Sequence, residues 1–191
     1  MRAPSLGRDA RRVDLAGAAP ARRLHLVQGE SHVSADPDLA LTTLLGSCVA
    51  ACLHDPLARI GGMNHFLLPG VEAGAPRDAL DPDAVHLMEL LVNGLLREGA
   101  KRERLEAKLF GGGRPLDGLS DVGARNAGFA LRFLAREGVR VVGGSLGGDR
   151  GRRLQFWPTS GRARQSFIDR AEVPRPAPPR RHEAAGAVEF F

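Results

Sequence analysis

Cysteine and long apolar segments are scarce in this chain of 191 residues, and each scarcity excludes a class of protein. Two cysteines cannot form the disulfide framework of a small secreted domain, so we expect a reducing, cytoplasmic setting. No segment approaches the roughly 18 apolar residues of a membrane-spanning helix, so we expect no direct membrane insertion. The first 23 residues contain arginines but no continuous apolar stretch, unlike a secretory signal peptide.

The positive charge of the chain lies at its two ends. The net charge is +5; residues 1–23 hold six Arg and two Asp, and residues 170–191 hold four Arg and three Glu. Subtracting these ends leaves residues 24–169 with no net charge. A nucleic-acid-binding domain is expected to carry a basic patch on its folded body, so we expect no nucleic-acid partner. Binding through the arginine-rich ends alone is the alternative.

Composition divides the chain into three parts. We predict a disordered basic leader over 1–22, a domain over 23–170 and a flexible tail rich in Pro and Arg over 171–191. The last four residues are apolar, and the sequence leaves open whether they dock on anything.

The domain has the pattern of a mixed α and β protein. Apolar and polar residues alternate in five segments that predict strands, and two further segments predict a hairpin around Thr159–Gly161. Apolar residues recur at helical spacing after Asp81, up to Gly99, and again after Ser120, up to Gly138. We therefore expect an α+β fold, a layered sandwich whose β-sheet core is flanked by helices. The strand segments are RLHLVQGE, ALTTLLG, RIGGMNHFLLP, RLEAKLF and VRVVGGS, and the hairpin segments are RRLQFWP and RARQSFI.

Both cysteines lie in the segment TTLLGSCVAACLHDP. Ser47 suits a helix N-cap, so we predict a short helix over 48–54 with Cys48 in its first turn. There the helix dipole would favour a thiolate, and free backbone N–H groups could hold an oxyanion. The alternative is that Cys48 packs as a small apolar group. Cys52 is interpreted as a core residue.

Among six histidines, His65 is the best partner for a reactive Cys48. It lies in the middle of a predicted strand, where a polar group needs a partner, and it is 17 positions after Cys48. A metal site built from the two cysteines, His54 and His65 fits no strong zinc spacing, so we expect no metal. Gly111–Gly113 lacks the other residues of a phosphate loop and is interpreted as a tight turn or a rim for an approaching peptide.

Four segments together resemble the CheD family of chemoreceptor glutamine deamidases. They contain G-S-C, G-G-M-N-H-F-x-L-P, A-K-x-F-G-G and G-A-R-N in this order, and the resemblance spans about residues 24–168. It implies a Cys–His–Thr triad, with Cys48 as the nucleophile, His65 as the base and acid, and Thr42 as the residue that orients His65. Thr43 is adjacent, and a slip of one residue would exchange the faces of the two threonines. Ser47 and Asn64 are further candidates for holding the oxyanion or the substrate.

The resemblance also implies an activity and partners. The activity is that of a cysteine hydrolase, a protein-glutamine glutaminase that needs no cofactor, on a fold related to deamidating toxins. The substrates are glutamines on the cytoplasmic helices of methyl-accepting chemotaxis receptors, and a CheC-type phosphatase is a possible regulator. Two alternatives are another cysteine acyl-transfer enzyme and a non-catalytic adaptor that binds the receptors or such a phosphatase.

Overall fold

The structure is a computed structural model that describes residues 22–68, 82–114 and 122–168. In these ranges two sheets face each other, and two helices cover the outer face of the larger sheet. The strands are β1 (Arg22–His25), β2 (Ser31–Ser34), β3 (Leu39–Leu45), β4 (Val49–Asp55), β5 (Ile60–Phe66), β6 (Glu106–Gly111), β7 (Arg140–Leu146), β8 (Gly151–Trp157) and β9 (Arg162–Ile168). The α-helices are α1 (Pro82–Arg97) and α2 (Val122–Arg136), and a short 3₁₀ helix spans Arg102–Arg104.

The strands are ordered so that β4 lies at the centre of the larger sheet. The five-stranded sheet has the order β2-β5-β4-β6-β7, and the four-stranded sheet has the order β1-β3-β8-β9. Strand β4 pairs antiparallel with both β5 and β6. Helix α2 connects the parallel strands β6 and β7, as a parallel connection requires.

Two apolar clusters hold the layers together. One lies between the larger sheet and the helices, and the other lies between the two sheets. Side chains of β4 alternate between them, with Val49, Ala51 and Leu53 toward the helices and Ala50 and Cys52 toward the other sheet. Both faces of β4 are buried, which matches the continuous apolar run of its first five residues, Val49 to Leu53.

The expected α+β class and layered arrangement are confirmed. The two long predicted helices, the hairpin and the five predicted strands are present. The segment RLHLVQGE contains β1 and a turn, and the chain then enters β2 in the other sheet. The kinship with deamidating toxins stays a prediction. Asp81, after which the first helical pattern begins, lies outside the described residues, as do residues 1–21 of the predicted leader and the whole predicted tail. None of the helices in the described ranges is long and apolar enough to cross a bilayer.

The short helix predicted over 48–54 is wrong. Residues Val49–Asp55 form β4, which is hydrogen-bonded to a neighbouring strand on each side. A short apolar run fits a helix or a doubly buried strand equally well by periodicity, and the tertiary pairing decides between them. Cys48 therefore does not lie at a helix N-terminus.

Candidate active site

Cys48 lies in the bend that joins β3 to β4, at the end of the inter-sheet cluster. Its side chain is partly buried and packs against that cluster. Burial raises the pKa of the Cys48 thiol to about 11, and a contact between its sulfur and its own backbone N–H lowers it only in part. The thiol is therefore protonated at neutral pH, and it needs a base to become a nucleophile.

The glycine triplet Gly111–Gly113 holds this bend in place. Gly112 N donates to Cys48 O at 2.7 Å, and Gly113 N donates to Gly46 O at 2.8 Å. Gly111 has a φ of +108°, and a Cβ there would lie 2.1 Å from Cys48 O. The glycines are thus required by close approach of two backbones, which explains the triplet without a phosphate ligand.

His65 lies on the same face of the sheet as Cys48. Its direct partner on β4 is Ala50, two residues after Cys48. Cys48 directly precedes β4 and packs against the inter-sheet cluster, which places it diagonally from His65 at a separation that a histidine ring can span. His65 is 6% exposed, and its ring points into the space between the two sheets.

The residue that contacts His65 from the facing sheet is Thr43. Thr43 Oγ1 and His65 Nδ1 are 2.8 Å apart, and Thr43 is buried. Thr42 lies on the opposite face of β3, where its hydroxyl donates to Leu24 O at 3.3 Å and lies 3.4 Å from His25 Nδ1. The contact expected for Thr42 is therefore made by Thr43. The physical reason is the two-residue period of the strand, which sends adjacent side chains to opposite faces.

The contacts of Thr43 fix which nitrogen of His65 carries the proton. Thr43 Oγ1 donates its single hydrogen to Leu26 O at 2.8 Å, so it accepts from His65 Nδ1–H. Leu26 O also lies 3.5 Å from Nδ1 and can only accept. Nε2 consequently carries a lone pair, and it is buried without a hydrogen-bond partner in the described part of the chain. This is the atom that a base uses to take a proton.

Burial keeps the His65 ring neutral. It lowers the pKa of His65 to about 4, although the nearby Leu26 carbonyl acts in the opposite direction. The resting pair at neutral pH is thus a thiol and a neutral imidazole with a free Nε2. Such a pair can carry out general-base activation of the thiol.

Asn64 does not take part in this site, and the structure corrects that expectation. It lies on the helix-facing side of β5, the face opposite to His65. Its Oδ1 accepts from Ala51 N at 3.1 Å, and its Nδ2 donates to Leu87 O and to Met88 Sδ, each at 3.2 Å. A fully engaged amide behind the sheet cannot hold an oxyanion at Cys48.

Asn126, which the sequence analysis did not single out as a site residue, connects the cysteine bend to the histidine strand. It is fully buried on α2. Its Nδ2 donates to Ser47 O at 2.8 Å, and its Oδ1 accepts from Leu68 N at 2.8 Å, just after β5. The available signal was its place in the G-A-R-N motif. The side-chain role expected for Ser47 stays a prediction, since the contact observed here is through its carbonyl.

Replacing Asn126 with alanine is expected to lower the free energy of unfolding by about 2–4 kcal/mol, because Ser47 O and Leu68 N would be left buried and unpaired. Urea denaturation followed by Trp157 fluorescence measures this change. Asn93→Ala, at an exposed position of α1, is the matched control and should have a small effect. Equal midpoints for Asn126→Ala and the wild type would contradict the bridging role.

The two cysteines, His54 and His65 do not form a metal site in the described residues. No three His, Cys, Asp or Glu side chains of ranges 22–68, 82–114 and 122–168 come together in a way that could hold an ion. Cys52 is buried in the inter-sheet cluster, as expected for a core residue. His54 lies at the far end of β4, where it contacts Thr159 O.

Comparisons with known proteins agree on one family. A family model described as CheD chemotactic sensory transduction matches residues 72–166. A protein of Rhizobium leguminosarum bv. trifolii is 55% identical over 90% of this chain and 97% of its own length. A protein of Rhizobium meliloti is 54% identical over 91% of this chain and 98% of its own. Both are named probable chemoreceptor glutamine deamidase CheD.

Similarity to solved structures is weak by comparison. Neisseria meningitidis protein NMB0706 is 14% identical with a TM-score of 0.41, covering 64% of this chain and 62% of that protein. The Bacillus licheniformis hypothetical protein YfiH is also 14% identical, with a TM-score of 0.38, covering 68% of this chain and 61% of that protein. The relatives above, at more than half identity over nearly the whole chain, decide the assignment, and the chain belongs to the CheD family.

Proposed function

We propose that this protein hydrolyses the side-chain amide of glutamines on chemoreceptors, giving glutamate and ammonia, with Cys48, His65 and Thr43 as its catalytic triad. The observation that carries the proposal is the hydrogen-bond chain from His65 Nδ1 through Thr43 to Leu26 O, which leaves Nε2 free on the face that holds Cys48. The names of the relatives supply the substrate class, since they are called chemoreceptor glutamine deamidases.

The first half of the reaction forms a thioester. His65 Nε2 takes the proton of the Cys48 thiol while Sγ attacks the carboxamide carbon of the substrate. The carbonyl oxygen becomes an oxyanion, and the Cys48 backbone N–H is the main-chain group that we assign as its donor. The imidazolium then gives its proton to the departing nitrogen. The C–N bond breaks, ammonia leaves and the acyl group remains on Sγ.

The second half returns the enzyme to its resting state. His65 Nε2 takes a proton from water, and the hydroxide attacks the thioester carbon. The C–S bond breaks, the imidazolium returns a proton to Sγ, and glutamate leaves. The triad is regenerated, and the net change is hydrolysis of one carboxamide by one water. Residues of the chain supply every proton transfer, and the scheme uses no cofactor.

The fate of the product explains why such a reaction would regulate a receptor. Each turnover replaces a neutral side chain by an anion on a cytoplasmic receptor helix, and a local charge change can bias a two-state receptor.

We propose that the enzyme acts in the cytoplasm, that a CheC-type phosphatase is a regulatory partner, and that residues 23–170 form the deamidase domain.

Mass spectrometry of a chemoreceptor cytoplasmic fragment incubated with the protein tests this proposal. We expect glutamine-to-glutamate conversion with release of ammonia, and none with Cys48→Ala. Cys52→Ala is the matched control and should retain activity, because Cys52 lies in the core. Binding of the fragment without conversion would favour the adaptor. Peptide cleavage or cross-linking in place of conversion would favour another acyl-transfer enzyme.

A further inference from the structure

The thiol of Cys48 has a side-chain neighbour that the triad does not use. Gln28 Oε1 lies 3.9 Å from Cys48 Sγ and accepts a hydrogen bond from the thiol. Gln28 lies in the turn between β1 and β2, and its side chain is exposed to solvent. Its carboxamide therefore lies at the mouth of the site, within reach of an incoming substrate.

The turn that carries Gln28 is fixed to the strand that carries His65. Gly29 N donates to His65 O at 2.8 Å, and His65 N donates to Glu30 O at 3.0 Å. Within the turn, Val27 N donates to a Glu30 carboxylate oxygen at 2.8 Å. Two main-chain hydrogen bonds to His65 thus hold the Gln28 backbone in register with the base.

The proposed attack by Cys48 creates an oxyanion, which needs hydrogen-bond donors beside Cys48. Oxyanion stabilisation in acyl transfer commonly uses two hydrogen-bond donors aimed at the developing negative charge. The mechanism proposed above uses the Cys48 backbone N–H as one of them. Asn64, expected from the sequence as another, is engaged on the far side of the sheet. Gln28 has the required group, an amide NH₂, at the end of the side chain that already contacts Sγ.

We propose that Gln28 is a catalytic residue whose side-chain amide donates to the oxyanion of the tetrahedral intermediate. In the resting enzyme its oxygen accepts from the thiol. Once His65 has taken the thiol proton, negative charge develops beside Oε1, and rotation of the terminal amide brings Nε2–H to face it. That torsion is broad and roughly two-fold, so the rotation costs little. No covalent bond of Gln28 changes. The inference rests on the proposed deamidation.

Two measurements on the same variants test the role of Gln28. The first is kcat and KM for deamidation of a chemoreceptor cytoplasmic fragment. The second is the rate at which iodoacetamide alkylates Cys48, a displacement at a saturated carbon that forms no oxyanion. For Gln28→Ala we expect kcat to fall about 30-fold, less than the 10²–10³ typical of a buried oxyanion donor because Gln28 is exposed. KM and the alkylation rate should stay within about twofold of the wild type, because neither reports an oxyanion contact.

Two further variants sharpen the test. Gln28→Glu has nearly the same shape but no N–H donor and a negative charge, so its loss of kcat should be at least as large as that of alanine. Val27→Ala changes a neighbouring exposed side chain in the same turn and should leave kcat unchanged. A kcat for Gln28→Glu close to that of the wild type would overturn the donor role, because the carboxylate can only accept a hydrogen bond.

Other outcomes overturn the inference in separable ways. If Gln28→Ala keeps kcat within twofold of the wild type, Gln28 is not a catalytic residue and the proposed function stands. If deamidation and alkylation fall together, Gln28 acts on the thiol or on local structure instead. If the wild-type protein releases no ammonia from the fragment, the proposed function is wrong, and so is the role of Gln28 as an oxyanion donor.

Discussion

Replacing His65 with glutamine is expected to lower kcat/KM for deamidation by on the order of 10⁴-fold. Glutamine can keep a hydrogen bond to Thr43 but offers no base on the side of Cys48. Without a base the thiol stays protonated, because burial has raised its pKa to about 11. His54→Gln is the matched control, since His54 is also buried but lies at the far end of β4. Comparable losses in both variants would contradict a catalytic role for His65.

The pH dependence of the wild-type enzyme follows from the same two groups. The neutral imidazole is the active form, so kcat/KM should be flat near neutral pH and fall as the pH drops toward about 4, where His65 becomes protonated. A rate that rises from pH 7 toward pH 5 would instead indicate that the protonated ring is needed in the free enzyme. Steady-state rates between pH 4 and pH 9 separate these two cases.

His65 should also make folding stability depend on pH. Its pKa is about 4 in the folded chain and 6.5 in the unfolded chain, so the unfolded chain binds more protons between these values. Stability is therefore complete above about pH 6.5 and is lost as the pH falls toward 4, by up to roughly 3 kcal/mol. Denaturation of His65→Gln at pH 4.5 and pH 7 should lack this component of the pH dependence that the wild type shows.

The sequence predicted which residues form the site better than it predicted their structural arrangement. Cys48 and His65 could be paired because a thiol after Gly-Ser and a polar residue in an apolar strand are both unusual. The helix predicted after Cys48 failed because CVAACL is apolar throughout, and only pairing with strands on both sides makes it β4. Consequently no helix dipole activates Cys48. Its thiol is neutral at rest and depends on the neutral His65 ring to remove its proton.

The choice between the two threonines did have a signal in the sequence. Leu41 and Leu45 are buried in the inter-sheet cluster, and Thr43 lies midway between them with the same two-residue phase. Leu44 shares the phase of Thr42 and weakens the signal. Gln28 had no comparable signal, since it lies in a turn and the pairing of β1 with β3 that places this turn is not visible in the sequence.

Removing the hydroxyl group of Thr43 or of Thr42, in separate variants, gives the most direct test of the triad. Thr43→Val keeps the shape but removes the acceptor for His65 Nδ1–H, and we expect kcat to fall by on the order of 10²- to 10³-fold. Thr42→Val removes a hydroxyl that faces Leu24 and His25 on the outer side of the sheet, and kcat should stay within about twofold of the wild type.

A serine at position 43 separates orientation from packing. Thr43→Ser loses a methyl group but keeps the oxygen that links His65 Nδ1 to Leu26 O. If Thr43 acts by holding the tautomer, the serine variant should recover most of the rate that valine loses, although valine fills the site better. If Thr43→Val is active and Thr43→Ser is inactive, the shape of the side chain matters and its hydroxyl does not, and Thr43 has only a packing role. Equal losses at positions 42 and 43 would mean that neither hydroxyl holds the ring, and the free Nε2 would need another cause.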